Sequence, residues 1–116
     1  MSIRYRGLDR LSLCLLLTRS CVTLLQHLPS FEKTLELFYR ADVVMGPHGA
    51  AMANLLASRP GTTVVEVHCT NSVRSCFQLI SQRLGMRYFA TRTTHSGMGS
   101  HRCNRDGLSV NITDLC

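Results

Sequence analysis

The segment from Asp42 to Val67 sets the architecture of this chain. It begins with a β-branched apolar run, Asp42 to Met45, which reads as a strand. Gly46-Pro47-His48-Gly49 then breaks that run sharply. Ala50 to Ala57 is rich in alanine and leucine and reads as a helix. Arg59-Pro60-Gly61 is a turn, and Thr62 to Val67 is a second β-branched run suited to a central strand. Two strands joined through a helix need a crossover, which makes them parallel neighbours rather than a hairpin.

The flanks extend the alternation. Cys21 to Leu28 is apolar and ends at Pro29, so it reads as a short buried strand. Ser30 is a suitable N-cap, and Glu32 places a negative charge in the first turn of a helix over about 31–40. Phe31, Leu35 and Phe38 recur at helical spacing with Leu37 beside them, the pattern of a face packed on a core. Ser72 to Leu84 is a second amphipathic helix, with Val73, Phe77, Ile80 and Leu84 on one face and Gly85 closing it. Arg87 to Ala90 is a strand candidate, Thr91 to Asp106 a polar loop, and Leu108 to Leu115 a last short element. The expected fold is therefore α/β: a Rossmann-like, mainly parallel sheet with flanking helices.

At 116 residues the chain makes one modest core. Its composition, 45% hydrophobic and 17% charged, argues against wholesale disorder. The net charge of +6 rests almost wholly on arginine, since Lys33 is the only lysine. Arginine forks suit phosphate, but these arginines are scattered, aromatics are few, and no nucleic-acid motif is present, so no nucleic-acid partner is expected.

Six cysteines (Cys14, Cys21, Cys69, Cys76, Cys103 and Cys116) include no C-x-x-C pair, so a zinc ribbon or thioredoxin-type redox site is not indicated. His101 and Cys103 would make half a metal site with no evident second half, and no metal is expected. An even cysteine count suits disulfides in a secretory lumen, and Asn111-Ile112-Thr113 is an N-glycosylation pattern. Arg4, Arg6 and Arg10 before the apolar Leu11 to Leu17 imitate a signal peptide. The stretch is short, Asp9 sits in its basic flank, and no clean cleavage site follows, so an ordinary buried element is the competing reading. No apolar run is long enough to span a bilayer.

Chemistry is expected at the break after the first β-branched run. In open α/β sheets ligands bind beyond the carboxyl ends of the strands. The first N–H groups of a helix lack internal partners and carry partial positive charge, and glycines allow close backbone approach. His48 adds a side-chain hydrogen-bond donor. The loop is neither a dinucleotide fingerprint nor a Walker loop, because glycine is missing at His48 and Ala51 and no Gly-Lys-Ser/Thr follows. From these residues alone it is either a phosphate-binding loop or a tight structural turn around a satisfied histidine.

The run Ala41-Asp42-Val43-Val44-Met45-Gly46-Pro47-His48-Gly49-Ala50-Ala51-Met52-Ala53-Asn54 resembles the signature of glycosyltransferase family 61. That signature has an alanine-aspartate, a hydrophobic strand, glycine, any residue, histidine-glycine-alanine, and an asparagine shortly after. Pro60-Gly61-Thr62 through Glu66 is similar to the family's next segment, and the helix from Ser30 and the tail from Leu108 fall in the family's order. Residues 1–20 match nothing and are left unassigned; 21–116 would be the family-like C-terminal lobe. Ala51 stands where the family often has glycine, and Leu56 to Arg59 lacks the aromatic common there.

The resemblance implies one lobe of a two-lobed fold of the B type (GT-B), binding a nucleotide sugar, usually a UDP-sugar, and inverting transfer to a glycan or protein hydroxyl in the Golgi or endoplasmic reticulum lumen. It implies no obligatory cofactor or metal. Gly46, Gly49 and Ala50 would offer backbone N–H groups to the donor diphosphate, with His48 bonding the diphosphate or the sugar. Asn54 would orient His48 or the ligand, or else anchor the helix. Glu66 would accept from ribose hydroxyls, or else be a solvated strand-end charge. No residue is a convincing general base: Asp42 sits at the wrong strand end, and Asp106 and Asp114 stand only by elimination. The base is expected on the N-terminal lobe absent from this chain. A nucleotide-binding module without turnover is the alternative function, and a nucleic-acid-binding domain a weaker one.

Overall fold

The structure, a computed structural model, describes residues 2–4, 14–18, 22–25, 29–68, 74–92 and 109–111. Strands β1 (Ser2–Arg4), β2 (Cys14–Leu17) and β3 (Val22–Leu25) precede helix α1 (Phe31–Arg40). Then come β4 (Val43–Pro47), a 3-10 helix (Ala50–Ala57), β5 (Thr63–His68), helix α2 (Cys76–Arg83), β6 (Arg87–Arg92) and β7 (Ser109–Asn111). The main sheet has the order β3-β2-β4-β5-β6, and β1 pairs with β7 in a separate antiparallel ribbon.

The strands on either side of the 3-10 helix and α2 run parallel, as the crossovers require: β4 with β5, and β5 with β6. The expectation of a mainly parallel sheet holds for this trio only. β2 is antiparallel to both β3 and β4. The strand expected over 21–28 is confined, in the described residues, to Val22–Leu25, and it does not lead through α1 into a parallel neighbour. Its register with β2 pairs Leu17 with Val22. So short a connection makes a hairpin, and β2 takes the place beside β4. The apolar stretch that imitates a signal peptide thus contributes Cys14–Leu17 to the sheet.

Helix α1 forms as expected. The Ser30 side chain accepts a hydrogen bond from the Lys33 N–H at 3.2 Å, and Glu32 and Arg40 complement the two ends of the helix dipole. Its buried face is Thr34, Phe38 and Ala41, with Leu37 partly covered. Phe31 is not on that face. It is 69% exposed, because it is the first residue of the helix and projects beyond the core.

Ala50 to Ala57 has the expected bounds but winds as a 3-10 helix. The burial pattern explains the winding: Met52, Leu55 and Ser58 are buried at a spacing of three, while Ala50, Ala53 and Leu56 are exposed. Phe38, Met52, Leu55 and Phe77 pack with Val44 and Val64 in one cluster, so α1, the 3-10 helix and α2 share the same sheet face. Burying each of these large side chains stabilises the fold by roughly 1.5–3 kcal/mol.

Two backbone turns need glycine. Gly61 has φ +85° and Gly85 φ +71°, and Gly61 N–H donates to the Gly85 carbonyl at 2.8 Å. Gly85 therefore ends α2 as expected. Val73 and most of the expected loop and tail (93–106, 108 and 112–115) lie outside the described residues, as do His101, Cys103, Asp106, Asp114 and the Ile112-Thr113 part of the glycosylation pattern. Cys76 is an exposed free thiol.

Candidate functional site

The parallel trio places a polar cluster at its carboxyl end. In-register parallel strands point corresponding side chains to one face, and residues two apart share that face. Gly46, Glu66 and Ala90 are register partners across β4, β5 and β6. Two small residues thus flank Glu66 and leave room around its carboxylate. His48 follows Gly46 by two residues, His68 follows Glu66 by two, and Tyr88 precedes Ala90 by two. The four side chains converge on one face.

Their contacts form a continuous network. His48 Nδ1 lies 2.5 Å from Glu66 Oε1, and the Tyr88 hydroxyl donates to Glu66 Oε2 at 2.5 Å. His68 Nε2 is 3.3 Å from the Tyr88 hydroxyl and 3.5 Å from Glu66 Oε2. The His48 ring stacks on His68 at 5.8 Å between centroids and meets the Phe77 ring from α2 at 5.2 Å. Burial, first, and then the hydrogen bond to Glu66 push the Tyr88 phenol well above the ordinary tyrosine range. Glu66 is fully buried and His68 nearly so, whereas the His48 side chain is 30% exposed. An inward carboxylate is costly to bury unless its oxygens are bonded, and here both are.

Two of the expected site residues have protein partners here. Glu66 is not at the surface to receive ribose hydroxyls: its oxygens are taken by His48 and Tyr88. Asn54 does not reach His48 in the structure. Its amide donates to the Ala51 carbonyl at 3.0 Å, anchoring the 3-10 helix. The turn also begins later than the sequence suggests. β4 runs to Pro47, so Gly46 is a buried strand residue. A proline is tolerated there because β2 pairs only with residues 43–45, leaving Pro47 a neighbour on the β5 side alone.

His48 N–H donates to the Val67 carbonyl at 3.0 Å, fixing the turn to the end of β5. Gly49 precedes the 3-10 helix in an extended conformation and Ala50 is its first residue. The first hydrogen bond of the helix runs from Met52 N–H to the Gly49 carbonyl, so the N–H groups before Met52 have no partner within the helix. Asp42 lies at the other end of β4, exposed and paired with Arg59 at 3.3 Å, as far from this edge as the strand allows. A polar hollow at that amino edge is lined by Asp42, Arg59, Thr62 and Arg87, the first two being the same ion pair.

His68 and Tyr88 were not anticipated from the sequence. The available signal was parity: Glu66-x-His68 on one strand, and an aromatic two residues before a small one on the next.

His48, Glu66 and His68 could also offer a metal three ligand atoms within 4.8 Å of one another. An ion held tetrahedrally at about 2.0–2.1 Å sets its ligands roughly 3.3 Å apart. The 2.5 Å between His48 Nδ1 and Glu66 Oε1 is hydrogen-bond spacing instead.

The glycosyltransferase 61 family model matches residues 20–65, which include β4, the turn and the 3-10 helix. Residues 20–65 are thus similar to glycosyltransferase 61 sequences. A beta-1,2-xylosyltransferase of Arabidopsis thaliana is 30% identical over 73 residues, covering 63% of this chain and 14% of that protein. The chain thus spans about a seventh of the length of this relative. No solved structure matches the chain. The family 61 match ends one residue before Glu66, so Glu66, His68 and Tyr88 all lie beyond it. No helix among the described residues is long and apolar enough to cross a membrane.

Proposed function

We propose that this chain is the nucleotide-sugar-binding part of a glycosyltransferase, one lobe of a GT-B-type fold, holding the diphosphate of a UDP-sugar at the carboxyl edge of β4 and β5. The observation that carries the reading is His48. It sits between the end of β4 and the first turn of the 3-10 helix, anchored to a buried carboxylate on one side and partly open on the other. As the glycosidic C1–O bond of the donor sugar breaks, negative charge gathers on the departing diphosphate. His48 and the N–H groups of Gly49 and Ala50 would stabilise that charge. Gly46 would act by leaving space beside Glu66, and Asn54 by holding the first turn of the 3-10 helix together. This donor site uses no metal ion or cofactor.

The relative is named for xylosyl transfer, which favours a pentosyl donor for the whole enzyme. Transfer to a glycan or protein hydroxyl would invert the anomeric carbon and needs a general base to take the acceptor proton. Neither Glu66 nor Asp42 meets that need: Glu66 is buried and Asp42 faces the opposite edge. The base would come from a second lobe, and the working place would be a Golgi or endoplasmic reticulum lumen. This chain by itself is expected to bind the donor without turning it over.

The test is a calorimetric or NMR titration of the folded chain with UDP, with AMP as control and His48→Ala in parallel. Saturable UDP binding is expected, absent with AMP. His48→Ala should weaken it roughly 10-fold or more, as loss of a hydrogen bond to a charged group does. A folded chain that ignores UDP would overturn the donor-site reading.

A further inference from the structure

Tyr88 and His68 lie outside the family match, and counting protons assigns them a role. The Tyr88 hydroxyl has one proton and two neighbours, Glu66 Oε2 at 2.5 Å and His68 Nε2 at 3.3 Å. The proton goes to the nearer and more strongly accepting carboxylate. His68 must then donate from Nε2 to the Tyr88 oxygen, which makes it the Nε2–H tautomer. Its buried Nδ1, which has no hydrogen-bond partner among the described residues, is consequently a bare lone pair, the less costly kind of unpaired atom. The order of donation runs from His68 to Tyr88 to Glu66 and leaves Oε1 to accept from His48 Nδ1–H. The opposite nitrogen of His48, Nε2, is then released toward the open side of the ring.

We propose that Tyr88, backed by His68, is a positioning residue that holds the Glu66 carboxylate so that His48 keeps its Nδ1 proton and presents Nε2 at the carboxyl edge of the sheet. What this does for a ligand rests on the donor-site reading above; the tautomer itself does not. Phe77, in tilted contact with the His48 ring, limits its rotation beside the carboxylate.

The experiment is a long-range proton–nitrogen NMR spectrum of the histidine rings in the intact chain, for wild type, Tyr88→Phe and Glu66→Gln, followed by UDP titration of each. The wild type should show His48 as Nδ1–H and His68 as Nε2–H. Tyr88→Phe should mix the His48 tautomers and weaken UDP about 2- to 10-fold, the effect of one neutral hydrogen bond. A purely structural Tyr88 would change unfolding but not the tautomer, and that result overturns the proposal. So does a wild-type His48 found as Nε2–H, which would place the shared proton on Glu66. If Tyr88→Phe does not fold, Glu66→Gln reads the same point, because its single acceptor oxygen cannot serve both His48 and Tyr88. A correct tautomer pattern in a chain that ignores UDP would sustain the positioning role and discard the donor site.

Discussion

Glu66 has no contact with solvent and two hydrogen-bond partners, so substitutions there separate lost bonding from lost volume. Glu66→Ala strands the Tyr88 hydroxyl and opens a cavity. It should cost roughly 2–4 kcal/mol in denaturant unfolding. A loss below about 1 kcal/mol would show that the carboxylate does little to hold the fold. Tyr88 gives a pH signature. Its folded-state pKa is raised, chiefly by burial and next by Glu66, so the fold favours the neutral phenol. The stability this contributes is complete below the ordinary tyrosine range near 10 and is lost as pH rises through the folded value. In an alkaline absorbance titration Tyr88 should ionise late, coincident with unfolding. That late step should be missing from Tyr88→Phe. At this scale the sequence pointed to His48 and Glu66, because one follows a strand–glycine break and the other lies near the end of a β-branched run. Tyr88 was hidden because its place beside Glu66 depends on the β5–β6 register, which no local pattern encodes.

Among the elements, helix α1 was legible down to its cap, and the cap can be weighed. Ser30→Ala removes the acceptor for Lys33 N–H and should lower stability by about 1 kcal/mol, read as a shift in denaturant midpoint at unchanged slope. Gly85→Ala tests the end of α2. An added Cβ would meet Pro60 Cβ at an ordinary 3.6 Å, so space is not the obstacle. The left-handed backbone is, and the cost should be about 1–2 kcal/mol. A neutral outcome would mean that the turn relaxes to negative φ. The 3-10 winding was not legible. Eight residues, seven of them alanine, leucine or methionine, fit either an α or a 3-10 period, and Ser58 favours the second. Its hydroxyl donates to the Phe38 carbonyl at 3.3 Å, drawing position 58 inward in line with Met52 and Leu55 and turning Leu56 out. The β2–β3 hairpin was missed for a similar reason. Apolar runs show that strands exist but not which neighbour they choose, and the short connection between Leu17 and Val22 falls in a stretch that also imitates a leader.

For the whole molecule, the parallel trio was legible because strand–helix–strand alternation leaves it little freedom, whereas the antiparallel flank depends on non-local pairing. The trio also predicts where stability resides. β5 is bonded on both sides, and five of its six residues, Val64 to His68, are buried on both faces of the sheet. β6 is paired only with β5 among the described strands, and Arg87, Phe89, Ala90 and Arg92 are exposed. Amide hydrogen exchange should therefore be slowest across β5, while the β6 amides that point away from β5 exchange orders of magnitude faster. Opening free energies range from near zero at edges to the global value in the core. The terminal arginines already make β6 a poor template for another strand, because charge at an edge opposes pairing. If the outer amides of β6 were instead as slow as those of β5, the edge would be covered in solution. A dilution series would then separate the two ways of covering it. Protection that fades on dilution means a second copy pairs there despite the arginines; protection that persists means the same chain supplies the cover. Fast outer amides at every concentration would establish β6 as the true rim of the sheet, leaving half-exposed Phe89 as apolar surface at that edge.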